Sequence, residues 1–573
     1  MREPKPLHPF LRLVALFLAV SLTFTGPVPM ALAATAASVT VTASGSLSIT
    51  NLAQSGTILT VVAGGSLASG ITLATGTITG GTLSVTSLIF SGTSLFQDKD
   101  VNLSVLSNLQ LAAGGSLTVP NGMSISNGPS SGILLDGGSA VLNVGSSATQ
   151  GGILGFTGAE IRVDSVFASR STLTVNTGTA TTDTVSVAYL DLGAKLDLVK
   201  NGRGLLGLNG LYSPANGGSL SIFSGTATVT AGTLLLGDSF LSDGTSNSLK
   251  IIPVTSSTSF PVVVALQGYA SVSSLLTSGG SATNVILGVS TDATSGQLVI
   301  NNAATDNSIF KGVLANAVDG TEGFQMFVTK NGEGSLLLSN VNSSFTGGFT
   351  LNAGSLIANA SSRSDTDANG TTTILGPLGG GALNLRGGTL FAKPPFDPDS
   401  GLPTTSILLH NAVSFFSATD EDVAVGGSLI LQRKATFASA NGTDALTLAG
   451  VMDLDSNANV TTGGSVTLVV NTPTEISGAI TGDFSYGSLS GGSGSMSLVK
   501  SGSAQLTLSG GNQYLGDFTV AQGTLLLGSA GALGINDLNL GTFSMNSLAV
   551  AVGGVLDLGG FSPAASTALI LSG

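Results

Sequence analysis

Residues 498–534 read LVKSGSAQLTLSGGNQYLGDFTVAQGTLLLGSAGALG. Lys500 leads into a glycine-containing turn. Three short alternating runs follow, Leu506-Thr507-Leu508, Phe518-Thr519-Val520 and Leu525-Leu526-Leu527. In a strand the outer two residues of each run point to one face and the middle one to the other. Gly510, Gly511, Asn512, Gly516 and Gly523 punctuate the gaps. Gly and Asn tolerate positive φ, so these are turn positions. The stretch predicts short strands joined by tight turns.

The same pattern occurs twice upstream. Residues 328–359 read VTKNGEGSLLLSNVNSSFTGGFTLNAGSLIAN, and residues 198–237 begin LVKNGRGLLGLNG and end ATVTAGTLLLG. Lys200, Lys330 and Lys500 take one place, and Gly232, Gly354 and Gly523 take another, before a Thr-Leu or Ser-Leu pair. The Lys-to-Gly distances are 32, 24 and 23 residues, so the first copy carries an insertion near Tyr212–Gly218. A fixed internal repeat outranks local element assignment, because it sets the architecture.

These residues resemble the autotransporter-associated β-strand repeat, which runs roughly Lys-x-Gly-x-Gly-x-Leu-x-Leu-x-Gly, then Asn-x-Tyr-x-Gly, then Thr-x-Val-x-x-Gly-Thr-Leu. The third copy has Asn512, Tyr514 and Gly516 in place, the second Asn342, Phe345 and Gly347, and the first lacks the compact Asn-x-Tyr-x-Gly step. The resemblance implies an exported passenger-type protein of a Gram-negative cell, secreted or held at the outer membrane and cell surface. It also implies a C-terminal translocator barrel as partner. Only 39 residues follow Gly534, too few for the many strands of such a barrel. Either the chain is a fragment, which is the expectation, or it reaches its destination differently.

The rest of the chain fits one kind of fold. Gly accounts for 81 of 573 residues, charged residues for 9% and aromatics for 5%. Leu47-Ser48-Ile49, Leu83-Ser84-Val85, Leu103-Ser104-Val105, Leu117-Thr118-Val119, Leu173-Thr174-Val175 and Val185-Ser186-Val187 share the period of two. Gly-[Ser/Thr]-Leu steps begin at Gly45, Gly65, Gly81 and Gly115, with intervals of 20, 16 and 34 residues. Sandwich domains need longer strands and aromatic-filled cores. A stack of coils needs only a thin core, because neighbours cover each coil. The predicted fold is all-β, a right-handed parallel β-helix over residues 34–573 with repeats at 198–237, 328–359 and 498–534. Ala360–Thr373 and Lys393–Thr404 are expected loops, with coils resuming at Leu429.

Residues 1–33 predict a secretory signal peptide. Arg2, Lys5 and Arg12 precede an apolar run at Leu13–Phe24, and Ala31-Leu32-Ala33 is a small-x-small cleavage signature. The run is shorter than the roughly 20 residues a membrane span needs.

Composition narrows the chemistry. The net charge of −13 argues against nucleic acid, whose phosphates need Lys and Arg. There is no Cys, and His8 and His410 are the only histidines, so no His pair can hold zinc. His410 reads as a surface or internally satisfied position. Asp365, Asp367 and Asn369, followed by Gly370, copy the opening of a calcium loop. Its twelfth position is Gly376, not a bidentate Glu, so a solvated loop is expected. Asp397-Pro398-Asp399, Asp420-Glu421-Asp422 and Asp453-Leu454-Asp455 are the other acidic clusters. Asn209, Asn342 and Asn512 recur near turns and suggest stacked amide ladders. The expectation is a non-enzymatic β-helix with no catalytic residue, cofactor or metal, whose loops meet a glycan or cell-surface ligand. The alternative is a secreted polysaccharide lyase or hydrolase on the same fold, which needs two carboxylates roughly 5–9.5 Å apart.

Overall fold

The computed structural model describes strand backbones between Leu22 and Leu571. Side chains are described mainly for residues 172–177, 197–208, 225–236, 248–252, 261–279, 284–290, 295–366, 372–394, 406–415, 435–454, 465–481, 497–513, 516–533, 547–562 and 568–572. The expected leader lies outside this range except for the backbones of Leu22–Thr23 and Val28–Met30. All the alternating runs named above fall on strands. The chain divides into two compact units, residues 1–272 with 278–285, and residues 273–277 with 286–573.

In the first unit the chain passes back and forth between two parallel sheets. Ser171–Thr177, Leu196–Asn201, Thr226–Val229 and Ser248–Ile251 are successive rungs of one. Thr184–Leu190, Leu205–Leu208, Thr233–Leu236 and Val262–Leu266 are successive rungs of the other. Register brings Leu142, Val175, Lys200, Val229 and Ile251 into one inward column, every member buried. A lysine thus stands where its neighbours above and below are aliphatic.

The second unit uses three sheets. The first runs Ser295–Ile300, Gln325–Lys330, Phe349–Leu351, Leu383–Leu385, Val413–Ser414, Met452–Asp453 and Ile480–Thr481. The second includes Asn307–Phe310, Ser335–Leu338, Ser355–Ala358, Thr389–Ala392, Leu431–Ser439, Gly464–Val470, Met496–Ser501, Phe518–Val520, Ser547–Val550 and Ala568–Leu571. The third starts at Ser406–Leu409 and ends at Gly554–Asp557. All these pairings are parallel. Strands stacked this way in successive coils, each separated by turns, make a parallel β-helix. Rung spacing varies, with Leu498 beside Phe518 and Phe518 beside Leu548.

Alternation drives the packing. Strand after strand reads intermediate-buried in period two, as in Ser335–Leu338, Ser355–Ala358 and Ala445–Leu448. The inward column Leu336, Leu356, Leu390, Phe437, Val470 is buried throughout. Each such side chain contributes about 1.5–3 kcal/mol by leaving water.

Two expected features differ. Leu429 does not restart the coils. It pairs with Ala424 in a small antiparallel hairpin, and the coil resumes at Leu431–Ser439. The loop expected at Ala360–Thr373 is instead an antiparallel hairpin, Arg363–Thr366 against Thr372–Leu375, while Ala360 and Ser362 stay buried in the coil. Lys393–Thr404 lies outside the described residues beyond Pro394.

Candidate functional site: the repeat corners and the exposed hairpin

Each repeat builds the corner between two sheets, in two successive coils. In the second copy the strands are Gln325–Lys330 and Ser335–Leu338, then Phe349–Leu351 and Ser355–Ala358. In the third they are Met496–Ser501 and Leu506–Leu508, then Phe518–Val520 and Gly523–Leu527. The two copies occupy different corners of the second unit. The second copy joins the first sheet to the second, and the third copy joins the second sheet to the third.

In the second copy the chain returns through residues 339–348 without adding a strand on the remaining side. This return holds Asn342, Phe345 and Gly347. The Phe345 ring is fully buried and fills the side that has no strand. A Cβ on Gly347 would lie 2.4 Å from the Met326 carbonyl oxygen, so no other residue fits there without backbone movement. This is the physical content of the aromatic-x-Gly part of the step; two residues before the ring stands Ser343, whose Oγ accepts the Leu314 N–H at 3.1 Å. Asn512 serves the same region in the third copy. Its Oδ1 accepts the Ile480 N–H at 2.8 Å and its Nδ2 donates to the Ala532 carbonyl at 2.5 Å.

The repeat lysines are the buried centre of each corner. Lys200, Lys330 and Lys500 are all 0% exposed. Lys200 Nζ donates to the carbonyls of Asn201 (2.9 Å), Gly202 (2.9 Å) and Ala231 (3.2 Å), and reaches Thr177 Oγ1 at 3.0 Å. Lys330 Nζ donates to Asn331 (2.6 Å), Gly332 and Ala353 (3.3 Å). Lys500 Nζ donates to Ser501 (3.2 Å), Gly502 (2.6 Å) and Gln522 (2.7 Å). Two acceptors come from the lysine's own turn and one from the turn of the next coil. Gly202, Gly332 and Gly502 have φ of 78, 39 and 80°, and Gly232, Gly354 and Gly523 have φ of 68, 69 and 71°. A left-handed residue turns the local carbonyls inward, and only glycine enters that region without strain. Burial pushes the Lys330 ammonium down to about 8, a shift partly opposed by Glu333, and burial pushes Lys500 down to about 8 as well.

Among the described residues asparagine ladders form, beside the repeat lysine rather than at Asn342 or Asn512. Asn209 lies outside the described residues. Asn342 is exposed, and its Oδ1 accepts from Arg363 at 3.2 Å. The ladders follow the repeat lysine instead. Asn201 Nδ2 donates to Asn176 Oδ1 at 2.8 Å, Thr230 Oγ1 donates to Asn201 Oδ1 at 2.5 Å, and Asn352 Nδ2 donates to Asn331 Oδ1 at 2.7 Å.

Of the chemical candidates, His410 and Asp365 have described contacts. His410 is half-buried. Its backbone N–H donates to Ser362 Oγ at 2.7 Å, and its Nδ1 lies 3.1 Å from the same oxygen. These contacts tie one coil to the preceding one. Asp365 is on the hairpin, paired with Arg363 at 2.8 Å, both about half exposed. Asp367, Asn369, Asp397, Asp399, Asp420, Glu421, Asp422 and Asp455 lie outside the described residues. Among the described residues, no group of three or more His, Asp or Glu is gathered in metal-ligating geometry.

Taken together, the fold and corners define a parallel β-helix with lysine-centred repeats. The passenger-associated-transport-repeat family model matches residues 328–358 and 498–527, so the chain carries two repeats of the autotransporter passenger class. Both matches begin within a lysine strand and end on the following coil's second strand. No curated protein sequence and no solved structure matches the chain. The Lys200 corner, outside these matched residues, has the same three-carbonyl arrangement and the same pair of positive-φ glycines.

Proposed function

We propose that the chain is an exported, non-enzymatic passenger-type protein, displayed at the outer surface of a Gram-negative cell or released from it. Its coils hold exposed insertions against a glycan or cell-surface ligand. The reading rests chiefly on the two passenger-associated-transport repeats, each set on a corner of the parallel β-helix. The hairpin Arg363–Leu375 is the best-described insertion. Its first strand is exposed at every position, while the coil strands on either side are half buried.

The test has two parts. Fractionation of source cells should place the chain outside the inner membrane, and a cytoplasmic location ends the reading. Replacing Ser364–Ile374 with a short glycine linker should leave the far-ultraviolet circular dichroism unchanged and abolish binding to cells or to a glycan array. Full binding by that variant would remove the hairpin from the proposal, and cleavage of a polysaccharide by the intact chain would remove the non-enzymatic assignment.

A further inference from the structure

The three corners share an arrangement of oxygens that surface display does not use. In each, backbone carbonyls from two successive coils converge on one point: Asn201, Gly202 and Ala231; Asn331, Gly332 and Ala353; Ser501, Gly502 and Gln522. The positive-φ glycines set these carbonyls. At each corner the Lys ammonium, with three N–H groups to give, donates to all three of them, and at Lys200 the Thr177 hydroxyl is a further acceptor at 3.0 Å.

Other turns of the second unit meet the same need with a neutral amide, and the match is poorer. Asn302 Nδ2 donates to Asp306 O and Ser335 O at 3.1 and 2.7 Å. Asn411 Nδ2 donates to the carbonyls of Leu378, Gly379 and Gly381 at 3.3, 3.0 and 2.9 Å. Both asparagines are 0% exposed, and in both the Oδ1 is buried with no partner. An amide brings an acceptor that an all-carbonyl pocket cannot satisfy. An ammonium brings donors alone. A guanidinium carries five donors in a plane and is too broad for three converging oxygens.

We propose that each repeat corner is a binding site for a primary ammonium, made of backbone carbonyls from two successive coils and filled from within by the repeat's own lysine. The cation joins one coil to the next, because one of its three acceptors belongs to the following turn. The defining sequence is therefore a lysine, a glycine two residues on, and a second glycine where the next coil turns the same corner. By this criterion residues 198–237 form a third such unit, with a longer return. The proposal stands apart from the export reading, since it concerns how the coils are held.

The test uses the full chain carrying Lys500→Ala. The substitution keeps Cβ and empties the space of a propylammonium group. The variant should melt several degrees below the native chain. n-Propylammonium chloride should raise its midpoint saturably and leave the native midpoint unchanged, while tetramethylammonium and potassium chloride at equal ionic strength should not. Equal rescue by potassium would overturn the ammonium specificity, and no rescue by any cation would overturn the site. Should the variant fail to fold, the native chain decides. Lysine ammonium groups held by three carbonyls exchange slowly and give resolved ¹H–¹⁵N signals near pH 6, whereas solvated ones do not. Three such signals, each lost in its own Lys→Arg variant, support the sites. Their absence overturns the proposal.

Discussion

A lysine within an aliphatic column has a cost and a compensation. Lys330 stacks between Ile300 and Leu351, and Lys500 between Leu468 and Val520. Burial disfavours the charge, which the carbonyls then partly stabilise. The shifts to about 8 fix a pH dependence. In the unfolded chain these groups titrate near 10.5. Between about 8 and 10.5 these groups hold more protons in the unfolded chain, so their contribution to folding stability rises with pH across that window and is constant below it. Each lysine can contribute at most about 3 kcal/mol of this rise. The urea midpoint of the native chain should climb through the window, and Lys330→Met with Lys500→Met should flatten the climb. A slope identical in native and double-variant chains would contradict the assignment. The glycines separate by the same logic. Gly523→Ala places a Cβ at φ +71°, 2.5 Å from Gly502 O and 2.8 Å from Lys500 Nζ. Gly553→Ala, at φ +92°, meets nothing within 4 Å. Strain alone costs about 1–2 kcal/mol, so Gly553→Ala should stay near that figure while Gly523→Ala exceeds it clearly in chemical denaturation.

At the scale of the element, the return segment of the second repeat carries its energy in one ring. Phe345→Ala should cost about 3–5 kcal/mol, because a buried phenyl leaves a cavity where no strand can collapse. Val341→Ala, at 43% exposure four residues earlier, should stay within about 0.5 kcal/mol. Equal losses in urea unfolding would mean that the ring is not the filler. This scale also shows what sequence could reveal. Strand positions were legible, since the period-two runs from Leu47 to Leu527 need only local alternation. So were turn glycines such as Gly354 and Gly523. Lys330 and Lys500 were legible as repeat marks but not as core residues, because a base beside a glycine turn reads as solvent-facing. The ladder partners were misjudged for a related reason. Asn352 meets Asn331 only through a register that depends on coil length, and coil length varies as insertions come and go. The hairpin at Arg363–Leu375 was hidden behind the sequence Asp-Thr-Asp-Ala-Asn-Gly at 365–370, whose acidic spacing mimics a metal loop.

At the scale of the whole molecule, the energetics should be local. With no disulfide available and no helix in the described structure, cohesion rests on inward columns, ladder hydrogen bonds and the corner ammonium groups. Each coil of a stacked repeat meets its neighbours only, so stability is approximately a sum of coil terms and nearest-neighbour terms. A lesion in one corner should then loosen adjoining coils and fade with distance. Lys500 bonds to its own coil and the next, and its column neighbours are Leu468 and Val520. Lys500→Met leaves three buried carbonyls short of a donor, a loss of about 2–3 kcal/mol. In hydrogen exchange followed by mass spectrometry, amides of Gly464–Val470, Met496–Ser501, Phe518–Val520 and Gly523–Leu527 should exchange faster. Those of Ser171–Thr177, Leu196–Asn201 and Thr226–Val229, in the other compact unit, should keep native rates. Lys200→Met should give the converse pattern. Exchange that accelerates equally in both units would show one cooperative transition for the entire chain, and the additive description of its coils would have to be given up.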